Sequence, residues 1–334
     1  MASRTPALRA WWARRPPAAG AAVMATGIVS VGLHLVGHES LSLAALALAC
    51  AAWLALAADF VVLLARDRAK WVTRAGTPGA LTAVAATTVV GTRFALLGAT
   101  PVAAALLAPA ALLWPVLLVL VVRRWGRRMP GAVFLGCVAT EGLAVLGATL
   151  SATTSTAWPA HAALVPFWLG LALYAVALFR FDPREVARGA GDQWVAGGAL
   201  AISALAGAKL LTAARSGPYL WNDDADTMLR HTTVAVLVLD LAWYAVLLVS
   251  EVVWPRLRYD VRRWSTVFPL GMTAAATLSV AAAVSVPWLT HPGRVLVWVA
   301  VAGWLAVATG AVATARTDLR SLSAGTGLRS TAPR

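Results

Sequence analysis

The chain has 334 residues, 60% of them hydrophobic and only 13% charged, with a formal net charge of +14. A soluble domain usually carries about 25% charged residues, and no soluble fold of this length encloses so much apolar surface. The positive charge is broken into short clusters between apolar stretches, which excludes a continuous face for nucleic acid.

A helix needs about 20 mostly apolar residues to cross a bilayer, and ten segments qualify. Arg4, Arg9, Arg14 and Arg15 precede the first, at 17–36. No small-residue cleavage site follows that run, so it reads as a retained helix rather than a signal peptide. Segments two to four are placed at 41–64, 78–97 and 101–122. Segments five to seven are placed at 130–150, 160–179 and 192–214. The last three are placed at 228–252, 264–286 and 292–315. Arg66, Arg68, Lys70 and Arg74 follow the second segment, and Arg123, Arg124, Arg127 and Arg128 the fourth. Arg180, Arg184 and Arg188 follow the sixth, Arg256, Arg258, Arg262 and Arg263 the eighth, and Arg316, Arg320, Arg329 and Arg334 the tenth. The alternate gaps hold only Arg215, Arg230 and Arg294. Cytoplasmic loops collect Lys and Arg, so this alternation predicts both termini in the cytoplasm. The odd helices then run outward and the even ones return. Basic loops recur at roughly 55 residues, the period of a helical hairpin, which predicts five tandem hairpins. The chain divides into a basic N-terminus (1–16), a ten-helix body (17–315) and a small polar tail (316–334) expected to be disordered. Cys50 and Cys137 fall inside apolar segments, so no disulfide framework is implied.

Intramembrane charges mark candidate functional residues. Arg93 and Lys209 lie in the outer halves of the third and seventh segments. Two readings stand for each: a positive vestibule that draws in anions, or a side chain snorkelling to the interface. Glu141 lies near the middle of the fifth segment. Either it pairs with a cation, Arg93 being the first candidate, or burial keeps it protonated. An interhelical ion pair or hydrogen bond is expected for Asp240 in the eighth segment. In the ninth, Phe268 precedes Pro269, and proline leaves the carbonyl of Ser265 without its helical partner. The odd segments are rich in small residues, as in Ala25–Ser30, which includes Thr26 and Gly27. Small residues serve close helix packing, or they leave room along a conduit. No His, Cys or carboxylate cluster has metal-ligand or acid–base spacing, so neither a cofactor nor an enzymatic function is expected. Asp223, Asp224 and Asp226 share one outer loop.

Four stretches together carry a resemblance: Val23–Ser30, Thr140–Ala148, Asp192–Gly207 and Trp264–Thr277. In that order they resemble the tellurite-resistance and C4-dicarboxylate transporter family, which includes the slow anion channel of plant guard cells. The resemblance implies an all-α membrane protein of ten helices in five hairpins, assembled as a homotrimer in the cell membrane, here of bacterial inner-membrane type. It implies odd helices around a pore in each subunit, closed by an aromatic gate that matches Phe268 beside Pro269. Thr26 and Gly27 would then belong to the pathway, with Arg93, Lys209 and Glu141. The expected cargo is a small anion, either inorganic or a C4-dicarboxylate such as malate. The alternative is a proton-coupled anion carrier or exporter, of tellurite or sulfite type, that uses Glu141.

Overall fold

The computed structural model describes residues 19–216, 220–256 and 259–329, with side chains as far as 321. The ten long helices are α1 (Gly20–Leu35), α2 (Glu39–Arg66), α3 (Thr82–Leu96), α4 (Thr100–Val122) and α5 (Leu135–Thr154). They continue with α6 (Ala157–Arg180), α7 (Val195–Ser216), α8 (Asp223–Val253), α9 (Trp264–Ala283) and α10 (Thr290–Arg329). Among the described residues, nine helical spans are long and apolar enough to cross a membrane, and α1 is a shorter apolar helix of 16 residues. Residues 17 and 18, expected to begin the first span, lie outside the described residues. The segment from Arg316, expected to be disordered, continues α10 as helix to Arg329. Nothing in Arg316–Arg329 breaks a helix, since proline is absent until Pro333.

Burial divides the helices into two layers. In the most apolar stretch of α3, α5, α7 and α9, between 78 and 100% of residues are buried; in the even helices the share is 11 to 33%. The reason lies in composition. The odd helices carry Gly, Ala, Ser and Thr all round, so neighbours approach closely on every side. The even helices put Leu, Val and Trp outward, as lipid-facing helices do.

The inner helices close into a ring, because each packs against the next and α9 packs against α1. Each also packs against the even helix that follows it. Their N-terminal ends meet at one end of the ring. Gly20 abuts Thr82, Gly131 abuts Asp192, and Gly191 abuts the carbonyl of Arg262. The five inner helices are therefore parallel. Four of them begin with a single 3-10 turn, at Pro78–Leu81, Gly131–Phe134, Asp192–Trp194 and Val261–Arg263. Four are followed by a left-handed residue that reverses the chain: Gly37 (φ +85°), Gly98 (+79°), Ser155 (+51°) and Ser285 (+57°).

A repeated bond ties the outer layer to the inner. Trp53 Nε1 of α2 donates to Thr87 Oγ1 of α3 at 2.8 Å. Trp114 of α4 donates to Thr140 of α5 at 2.8 Å, and Trp304 of α10 to Thr26 of α1 at 3.0 Å. Between α8 and α9 the direction reverses, with Thr273 Oγ1 donating to Asp240 Oδ1 at 3.2 Å. This is the interhelical bond expected for Asp240. A buried indole N–H needs an acceptor, and a Thr that donates to its own backbone keeps lone pairs to offer. Thr87, Thr140 and Thr26 donate in this way to Ala83, Gly136 and Ala22.

Candidate functional site

All five inner helices contribute to a cavity of about 10 Å³ on the axis of the ring. Its walls include Ile28 of α1, Thr88 and Thr92 of α3, Gly142 of α5, Ile202 and Leu205 of α7, and Met272 of α9. A single water needs roughly 10–15 Å³, so the cavity has room for about one water and no more. Both threonines spend their hydroxyl protons on backbone carbonyls, Thr88 on Ala85 and Thr92 on Thr88. The wall is thus apolar.

Phe268 lies one turn before Met272 on α9 and so faces the same way. It is 1% exposed. Across from it, Gly198 of α7 lies one turn before Ile202. A Cβ at Gly198 would sit 3.2 Å from Phe268 Cε1 and 2.8 Å from Pro269 Cγ. The absence of a side chain at Gly198 is what seats the aromatic ring and the pyrrolidine against α7. Gly271 does the same for α1, since a Cβ there would lie 2.8 Å from Ile28 Cγ2. The Phe-Pro turn is held between two glycine contacts, and α9 passes through Pro269 without interruption.

The other expected pathway residues separate. Lys209 is half-buried on α7 and makes no hydrogen bond or ion pair among the described residues. It continues the row Gly198, Ile202, Leu205 at helical spacing, the row that faces the axis. Arg93 does not stand free in a vestibule, and it does not pair with Glu141. Its Nε donates to Ser42 Oγ at 2.9 Å and its Nη2 to Glu39 Oε1, both on α2. The reason is register: α2 begins at the end where α3 finishes, so Glu39 is at the level of Arg93 and Glu141 is deeper. His34 Nδ1 also contacts Glu39, at 2.7 Å.

Glu141 lies off the axis. Its carboxylate faces Gly170 of α6 and accepts from Ser203 Oγ of α7 at 2.9 Å. Oε2 has no partner. Thr26 and Gly27, expected along the pathway, instead make helix contacts. Thr26 accepts the Trp304 indole, and Gly27 faces Val89 of α3. Asp223, Asp224 and Asp226, expected on a loop, occupy the first turn of α8, where acidic residues complement the helix dipole. Asn222 caps that turn by accepting from Ala225 N at 2.9 Å.

Glu251, which no motif in the sequence singles out, organises the entry to α9. At the end of α8 it binds Arg263 Nη1 at 2.6 Å and Arg256 Nη1 at 2.9 Å. Arg263 also donates to the carbonyl of Arg256. The loop from Trp254 is thereby folded back, and Trp264 starts α9 five residues before Pro269. The sequence signal was an acidic residue closing a helix beside a basic loop.

A comparison with curated proteins finds no match. The family model for voltage-dependent anion channels matches residues 14–312, from before α1 into α10. A closed ring of five parallel helices, an apolar axial cavity and a family match over almost the whole chain agree. The chain belongs to the voltage-dependent anion channel family.

Proposed function

We propose that the protein passes small anions across the cell membrane through the centre of its five-helix ring, and that Phe268 beside Pro269 is the gate. The observation that carries this reading is the axial cavity, to which all five inner helices contribute and which Phe268 adjoins by one turn. The basic clusters lie before α1 and at the ends of even helices, and the positive-inside rule supports a cytoplasmic side for those ends and both termini; the resemblance supports a membrane of bacterial inner-membrane type. Phe268 then stands on the cytoplasmic side of the cavity, about 6 Å from the Met272 level. The exposed apolar faces of the even helices meet lipid or, in the homotrimer expected from the resemblance, other subunits. Chloride flux into proteoliposomes tests the gate: Phe268→Ala raises the leak, and an unchanged flux in an active protein refutes the assignment.

A second reading, proton-coupled carriage, rests on Glu141. Its carboxyl is enclosed, with one oxygen bonded to Ser203 and one unpartnered, a setting in which gain or loss of a proton shifts the contact between α5 and α7. Uptake with and without a pH gradient, in wild type and Glu141→Gln, tests it. Flux that ignores the gradient in the wild type removes coupling.

A further inference from the structure

We infer that Lys209 and Ser279 form a binding site for one small monovalent anion, two helical turns along the axis from the axial cavity. The inference rests on the reading of the ring as an anion path, and it narrows the cargo. Lys209 follows Ile202 by seven residues, and Ser279 follows Met272 by seven. Ile202 and Met272 line the same cavity. Seven residues are close to two turns, so both side chains leave from the axial face, about 10 Å further along. The helices α7 and α9 are parallel neighbours, so the two residues share a level. On α5, Thr149 stands seven residues after Gly142 and gives its proton to the carbonyl of Val145, at 2.7 Å. The same offset on α1 and α3 reaches Leu35 and Ala95, which are apolar.

Two groups on the axial row at this level have donors with nothing to bind among the described residues; Arg93 Nη1 of α3, near the same level, is unpartnered as well, but its guanidinium is held by Ser42 and Glu39. Ser279 is 7% exposed and its Oγ has no partner among the described residues. Lys209 makes no polar contact among the described residues, whereas Arg93, the other deep cation, is neutralised by Glu39. An uncompensated ammonium in a low-dielectric bundle is costly. A bound anion offsets that cost and gives the Ser279 hydroxyl an acceptor. The charge count bounds the ligand. One ammonium balances chloride or nitrate; a dicarboxylate or sulfate would bring a second negative charge to a level lined otherwise by Leu35, Ala95 and Thr149.

Chloride binding to the purified full chain in detergent, followed by 35Cl line broadening, tests the site without requiring transport. Lys209→Met is expected to weaken binding more than about tenfold and Ser279→Ala about threefold, as loss of a charged and a neutral hydrogen bond would. Lys209→Arg retains binding. Nitrate displaces chloride from the wild type, and malate at equal concentration does not. Unchanged broadening in folded Lys209→Met overturns the site, as does displacement by malate equal to that by nitrate. Should Lys209→Met fail to fold, Ser279→Ala and the malate competition decide alone. Flux in proteoliposomes separates the two claims. Binding that depends on Lys209 in a protein that passes no anion even as Phe268→Ala would keep the site and refute transport. Flux with binding indifferent to Lys209 would do the reverse.

Discussion

Replacing Gly198 with alanine tests whether the seat of Phe268 controls closure. The added Cβ would lie 2.8 Å from Pro269 Cγ and 3.2 Å from Phe268 Cε1. Carbon atoms in contact normally stand about 3.5–4.0 Å apart, so the first contact is short by about 1 Å. Pro269 cannot swing away, because its ring is closed on the backbone. The strain must move α7 from α9 or turn Phe268 out of its seat. Overpacking of this size costs about 1–3 kcal/mol, to be read as a lowered midpoint of unfolding in detergent. The displaced ring raises chloride leak in proteoliposomes. In a Phe268→Ala background the ring contact is gone while the clash with Pro269 persists. There Gly198→Ala keeps its stability cost and adds no further leak. Gly126→Ala is the control, since a Cβ there meets nothing within 4 Å. A Gly198→Ala protein that matches that control in stability and flux, or whose leak adds in full to that of Phe268→Ala, rules out control of closure by this seat.

Four other outcomes follow from the contacts described. Arg93→Met should lower stability by roughly 1–3 kcal/mol through loss of charged hydrogen bonds while leaving anion selectivity unchanged. A change in selectivity without a change in unfolding would place Arg93 on the path. Glu251→Gln should cost about 2 kcal/mol, because Arg263 and Arg256 both lose a charged partner; thermal unfolding of the purified protein reads it. Trp304→Phe should cost only about 1 kcal/mol, since Thr26 keeps its bond to Ala22, and a loss several times larger would mean that the indole does more than bond Thr26. Burial raises the carboxyl pKa of Asp260, but hydrogen bonds from Arg262 outweigh it and hold the group below its ordinary value. Its cap on the turn before α9 is therefore complete at neutral pH, where unfolded Asp is also ionised. The cap is lost as pH falls through the lowered value. Asp260→Asn should flatten the acid limb of an unfolding-midpoint profile, and an unchanged limb would remove Asp260 from the acid response.

An all-helical chain of nine to ten apolar helices and its charge asymmetry were readable in the sequence, because bilayer thickness sets helix length and these properties are summed along the chain. The small-residue composition of the odd helices was readable too, and those helices form the inner layer. The direction in which a given side chain points was not. Thr26 and Lys209 both looked like pathway residues, yet a helical rotation of a few residues turns one to Trp304 and leaves the other on the axial row. Hydropathy could not resolve this, because the inner helices are apolar nearly all round and show no amphipathic face. Pairing was equally hidden. Arg93 chose Glu39 over Glu141 because α2 begins at the level where α3 ends, a matter of turns and register. Composition along the chain dictated a membrane bundle with a small-residue interior. Which polar groups remained without partners, Lys209 and Ser279 among them, was decided only when five parallel helices closed into a ring and took up their rotations.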